Sequence, residues 1–162
     1  MLRRGRWRVR RRENLFVGSE RVRIKRVDPT LPLPAYATAG SVGFDLLCRE
    51  ERVIEPGEVA LLPANVIVET PPGYMLLVTA RSSTPRRKGL SIPHGVGVVD
   101  RDYSGPDDEV QVQVYNFTAA PVKVARGERI AQGIFVRVDA FAWEEAGEMD
   151  APTRGGFGST GA

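Results

Sequence analysis

Along much of the chain, apolar residues recur at every second position. The clearest run is Glu109-Val110-Gln111-Val112-Gln113-Val114-Tyr115, whose valines share one face and whose polar residues share the other. Arg21-Val22-Arg23-Ile24 alternates in the same way. Glu58-Val59-Ala60-Leu61-Leu62, Val66-Ile67-Val68-Glu69, Tyr74-Met75-Leu76-Leu77-Val78, Val122-Lys123-Val124 and Ile134-Phe135-Val136-Arg137-Val138 are further short runs of β-forming residues. Pro63, Pro71-Pro72-Gly73 and Pro85 punctuate them, and Leu31-Pro32-Leu33-Pro34 forbids both a helix interior and a central strand. Many short strands with turn signals about every 8–12 residues predict an all-β sandwich, barrel or jelly roll. The one stretch with a helical pattern is residues 141–149, and no internal repeat is visible.

A chain of 162 residues, 42% of them apolar, can bury one core. Its apolar runs are far shorter than the roughly 20 residues of a membrane span. A single cysteine, Cys48, excludes an internal disulfide framework and any multi-cysteine zinc site. A single histidine, His94, leaves a histidine-rich metal centre without ligands. The net charge of +3 hides an asymmetry: residues 1–26 hold eleven Lys/Arg against two acids, and the other 136 residues hold twelve against eighteen. The chain therefore divides into a basic leader (1–20), a β domain (21–150) and a glycine-rich C-terminal segment (151–162). The leader lacks the apolar core of a secretory signal and reads as a tail that is unfolded when free. A tether to nucleic acid or another anionic surface is its alternative reading, and a targeting segment a third.

Four stretches combine glycine with polar or charged residues in ways that packing does not require. In Ala39-Gly40-Ser41-Val42-Gly43-Phe44-Asp45-Leu46, a strand puts Asp45 on the face opposite Phe44; an exposed carboxylate beside a turn is the plainer reading. In Ala80-Arg81-Ser82-Ser83-Thr84-Pro85, Arg81 follows an apolar strand and needs a partner if buried. The serines after it offer hydroxyls and N–H groups to an anion, or form a solvated basic turn. In the run from His94 through Gly95 and Gly97 to Asp100 and Tyr103, the glycines let the backbone approach a flat ligand. Asp100 could serve there as a desolvated base, or the run is a core strand followed by an acidic turn. Arg126-Gly127-Glu128-Arg129-Ile130-Ala131-Gln132 reads as a turn leading into a strand. Together the stretches supply arginines and two carboxylates, Asp45 and Asp100, an inventory suited to a phosphate-bearing ligand with Mg²⁺. That ion takes carboxylate, water and phosphate oxygens and needs no His or Cys.

These residues resemble the homotrimeric dUTPase family. Five motifs stand in the family's order: residues 39–46; Arg81-Ser82-Ser83; Gly97-Val98-Val99-Asp100-Arg101-Asp102-Tyr103-Ser104-Gly105; Gly127-Glu128-Arg129-Ile130-Ala131-Gln132; and Arg154-Gly155-Gly156-Phe157-Gly158-Ser159-Thr160-Gly161. The resemblance implies a distorted β jelly roll and a homotrimer with three shared active sites. It implies hydrolysis of dUTP to dUMP and pyrophosphate, which limits uracil in DNA and supplies dUMP for thymidylate synthesis. By motif, Asp100 would hold the attacking water and meet the sugar 3′-OH. Tyr103 would press on the deoxyribose and leave no room for a 2′-OH. The hairpin around His94 and Gly97 would read the uracil edge through its backbone. Arg81, Ser82, Ser83, Arg129 and Gln132 would serve the phosphates, and Asp45 would anchor Mg²⁺ through water. The C-terminal segment would close as a lid, with Arg154, Ser159 and Thr160 on the γ-phosphate, Phe157 over the base, and Gly156 and Gly158 close to the ligand.

Three positions depart from the family pattern. Ser104 stands where an arginine is common, Pro106-Asp107-Asp108 reads as an insertion, and His94 replaces a small or amide residue. The related dCTP deaminases share the fold, but their catalytic glutamate corresponds to Gln113, a neutral amide unable to shuttle a proton. A purely regulatory or nucleic-acid-binding role has only the basic leader in its favour. The resemblance implies a cytoplasmic enzyme with no membrane association and no nucleic-acid contact outside the leader.

Overall fold

The computed structural model describes residues 21–153 and 155–156. The leader, Arg154 and residues 157–162 lie outside it, and with them Phe157, Gly158, Ser159 and Thr160 of the expected lid. Nearly all of the regular secondary structure among the described residues is strand. Its elements are β1 (Arg23–Arg26), β2 (Gly43–Leu47), β3 (Arg52–Ile54), β4 (Val59–Pro63), β5 (Val66–Glu69), β6 (Tyr74–Ala80), α1 (Thr84–Lys88), β7 (Leu90–Ser91), β8 (Gly97–Val99), β9 (Gln111–Asn116), β10 (Val122–Val124) and β11 (Arg129–Arg137).

All pairings between these strands are antiparallel. The largest sheet has the order β2-β11-β6-β8, a second has β4-β9-β7, and the pairs β1-β5 and β10-β3 complete the fold. One contiguous core joins the two larger sheets: Phe44, Leu46, Leu76, Val78 and Ala131 come from one, and Ala60, Leu62, Leu90, Val112 and Val114 from the other. The alternation of β9 is realised as read, with Val112 and Val114 buried and Gln111 exposed. Strand β4 alternates too, but its outward residues Val59 and Leu61 are apolar, so composition alone does not reveal which face is inside. Gly133 sits at the centre of the large sheet, where an added Cβ would lie 2.6 Å from the Phe44 ring. The glycine lets that ring lie across β11, packed against Phe135 at a centroid distance of 5.5 Å.

The helix is not where the sequence pattern put it. Residues 141–149 form neither helix nor strand, and Phe141, Trp143 and Met149 are exposed. Most helical stability comes from packing an apolar stripe, and nothing in the described chain covers this one. The helix that does form, α1, has Pro85 in its first turn and is stopped by Gly89 in the left-handed region at φ 68°. Side-chain methyl carbon Cγ2 of Thr118 would lie only 2.0 Å from a Cβ on Gly89, so this C-cap is closed on both conformational and steric grounds.

Candidate active site

Strand register brings the first group of candidates together. Asp45 on β2 pairs with Gln132 on β11, which pairs in turn with Thr79 on β6, two residues before Arg81. The Asp45 carboxylate is held between two guanidiniums: Arg81 Nε donates to Oδ1 at 2.7 Å, and Arg129 Nη1 donates to Oδ2 at 3.3 Å. Gln132 Nε2 donates to the Ala80 carbonyl at 3.1 Å, fixing the end of β6 just before Arg81. Ser82 and Ser83 follow directly. Ser83 is the N-cap residue of α1, yet its side chain makes no capping hydrogen bond. The partner that a half-buried Arg81 needed is thus Asp45, and the cluster carries two positive charges against one negative. Such an excess suits a polyanion.

The second group lies along β8. The hairpin before it is closed by Gly95 N donating to Ile92 O at 3.0 Å, and places His94 and Gly97 at the strand's start. Asp100 directly follows the strand, exposed, and its side chain makes no hydrogen bond or ion pair among the described residues. Tyr103 N donates to Asp100 O at 3.3 Å, and the Tyr103 hydroxyl donates to the Glu109 carbonyl at 3.3 Å.

The structure does not unite the two groups within one chain. Strand β8 runs antiparallel to β6, with Val99 opposite Leu76 and Gly97 opposite Val78. Asp100 is therefore level with Met75, six residues from Arg81 along β6, or about 20 Å at about 3.3 Å per residue. Gln113 lies on β9 in the other sheet, opposite Leu61.

Two ordering residues were missed in the sequence. The alternating pattern makes Glu109 one polar tooth of a strand, but it precedes β9 and is buried. Arg49 grips it with Nε at 2.9 Å and Nη2 at 3.0 Å, and Asn65 N donates to it at 2.8 Å. That carboxylate is the main reason the Arg49 guanidinium is held above its ordinary pKa. A glutamate at the head of a valine-alternating strand, with an arginine elsewhere in the chain, is too common a pattern to have pointed to this pair.

A family model of dUTPase matches residues 30–161, a span that contains all five motifs. The chain belongs to the dUTPase family. It is 42% identical over 147 residues to a deoxyuridine 5′-triphosphate nucleotidohydrolase of Thermobifida fusca, covering 89% of this chain and 80% of that one. It is 39% identical over 147 residues to one from Dictyoglomus turgidum, covering 87% and 98%. Among solved structures it is similar to the dUTPase of Streptococcus mutans, at 31% identity and a TM-score of 0.68, covering 74% of this chain and 98% of that one. The fold also agrees with that of a Staphylococcus bacteriophage 80alpha dUTPase, at 22% identity and a TM-score of 0.78, covering 89% and 100%. The expected jelly-roll-like β fold is thereby borne out for this dUTPase-family chain.

Proposed function

We propose that this chain hydrolyses dUTP to dUMP and pyrophosphate, limiting uracil in DNA and supplying dUMP for thymidylate synthesis. The observation that carries the reading is the Asp45 carboxylate clamped between Arg81 and Arg129, in a chain of this family. An incoming triphosphate supplies a stronger anion for both guanidiniums. Arg81, Arg129, Gln132 and the hydroxyls of Ser82 and Ser83 then bind the phosphates and stabilise the charge that develops on them. Asp100 acts as general base. It takes the proton of a water whose oxygen attacks the α-phosphorus, while the α–β bridging bond breaks and pyrophosphate leaves. The backbone at His94 and Gly97 reads the base, and the Tyr103 ring closes on the deoxyribose.

The separation of about 20 Å along β6 between Asp100 and Arg81 supports a site shared between copies. One copy contributes the Asp45–Arg81 group and a second contributes Asp100 and Tyr103, as in a homotrimer with sites at its interfaces. The two groups cannot both reach one α-phosphate within a single chain.

The donor set fits Mg²⁺ only through water. Among the described residues no three His, Cys, Asp or Glu side chains cluster, and Asp45 already shares its charge with two arginines. Asp45 would hold the ion's water shell, with the remaining oxygens coming from the substrate. When bound, Mg²⁺ neutralises charge on the triphosphate. Residues 151–162 complete the site as a lid, with Arg154, Gly156, Phe157, Gly158, Ser159 and Thr160 on the substrate. We place the enzyme in the cytoplasm, where its substrate is made. No helix among the described residues is long and apolar enough to cross a membrane.

The deciding measurement is pyrophosphate release from dUTP, dCTP, dTTP and UTP with Mg²⁺, together with ammonia release from dCTP. Hydrolysis of dUTP is expected to exceed the others by about 10²-fold or more in kcat/KM, because a site that hydrogen-bonds one base edge leaves its groups unpaired with another. Equal rates across the four, or ammonia from dCTP, would overturn the reading. Removing residues 153–162 is expected to abolish most turnover while leaving the assembly folded, since that segment holds glycines, Arg154 and hydroxyls and little apolar surface. Full activity in the shortened chain, measured beside its thermal melt, would take the lid out of the mechanism.

A further inference from the structure

The loop at residues 104–109, which holds Pro106-Asp107-Asp108, is tied at several points. Asp108 Oδ2 accepts from Gly105 N at 2.6 Å, and Asp108 N donates back to Gly105 O at 3.3 Å, closing a four-residue turn. Glu109 N donates to Asp107 O at 2.8 Å. Lys25 Nζ on β1 reaches across to the Pro106 carbonyl at 3.0 Å. The far end of the loop is anchored through the buried Glu109 carboxylate on Arg49 and Asn65.

The Tyr103 side chain spans this loop. Its main chain leaves from the near end, and its hydroxyl rests on the Glu109 carbonyl at the far end. Tyr103 is 41% exposed, and its hydroxyl is held on the Glu109 carbonyl. The loop's conformation therefore fixes the separation of the two anchors, and so where the ring stands.

We propose that this loop sets the enzyme's sugar selectivity, with Asp108 as the positioning residue that holds Tyr103 against the ribose 2′-position. The inference rests on the reading of Tyr103 as the residue that faces the deoxyribose. Excluding one hydroxyl by contact depends on placing the ring to within a fraction of an ångström. Selectivity of this kind comes from a clash with the wrong substrate, so loosening the ring admits UTP without removing any contact to dUTP. Among the described residues the Asp108 carboxylate bonds only to Gly105 N within its own loop.

The test compares kcat/KM for dUTP and UTP in the full-length assembled enzyme. Asp108→Ala is expected to lower the dUTP/UTP ratio about tenfold, mainly by raising kcat/KM for UTP, with dUTP changed by less than about threefold. Asp108→Asn keeps an oxygen acceptor for Gly105 N and is expected to hold the ratio within about twofold. Tyr103→Phe removes the far anchor directly and is expected to lower the ratio as Asp108→Ala does. The double variant is expected to go no lower than either, the signature of one shared device. A purely structural role for Asp108 would instead reduce both substrates in proportion, and that result overturns the proposal. Tyr103→Ala separates the two layers. If it collapses the ratio while Asp108→Ala and Tyr103→Phe do not, the loop inference alone falls. If Tyr103→Ala leaves the ratio intact, the role of Tyr103 falls and the loop inference falls with it.

Discussion

Asp100→Asn is expected to lower turnover by about 10²–10⁴, the usual contribution of a positioned general base, with dUTP still bound and the fold intact. The structure makes this substitution a clean one. Asp100 stands exposed at the end of β8, and its side chain has no hydrogen-bond or ion-pair partner among the described residues. Nothing in the fold therefore depends on its charge, and the near-isosteric amide can occupy the same space. What the amide cannot do is take a proton from water at neutral pH. Single-turnover hydrolysis separates this chemical step from binding and product release. Turnover within a few-fold of the parent would remove Asp100 from the role of base. A matching rise in KM without loss of kcat would instead assign it to binding.

Asn116→Ala is expected to cost about 3 kcal/mol of stability, since each buried polar group left without a partner costs about 1–3 kcal/mol. Asn116 is fully buried at the end of β9. Its Nδ2 donates to Ile54 O and Ala120 O, both at 2.9 Å. Its Oδ1 accepts from Thr118 N at 2.9 Å and from the Thr118 hydroxyl at 2.7 Å. One side chain thus joins β3 to the turn after β9, and that turn lies against the Gly89 cap of α1. Alanine strands the Ile54 carbonyl in the core, whereas the groups at 118 and 120 lie close enough to solvent to recover part of their loss. Denaturant unfolding with an unchanged m-value is the measurement. A loss below about 1 kcal/mol would mean that water or a shifted turn replaces the amide.

Legibility differed from element to element for physical reasons. Strand β9 was visible because its valines all face one core, so sequence period and structural period coincide. The end of β11 was visible as Ile134-Phe135-Val136, but its beginning at Arg129 looked like a turn. Arg129, Ala131 and Gln132 pair on β2 or β6, with a register shift between Arg129 and Ala131 that no local pattern announces. Residues 141–149 misled because a helical stripe has meaning only against a surface that covers it. The short α1 went unassigned because five residues carry too little periodicity, although Pro85 and Gly89 mark its two ends.

The sequence by itself determined the class of fold, the family and the chemical inventory, because strand alternation, turn residues and five ordered motifs are local properties that need no partner in space. It also excluded an internal disulfide framework, a multi-cysteine zinc site and a histidine-rich metal centre by leaving the chain one cysteine and one histidine. Only the tertiary structure decided which charges meet. Asp45 and Arg81 are 36 positions apart, yet β2 and β6, on either side of β11, bring their side chains to 2.7 Å. Arg49 and Glu109 are 60 positions apart, and the half-buried arginine grips the buried carboxylate that anchors the loop beneath Tyr103. The structure likewise set Asp100 and Arg81 at opposite ends of β6, which no reading of motif order conveys. Side-chain pairing depends on strand register, and register is fixed by the packing of the whole sheet against its core rather than by any single segment.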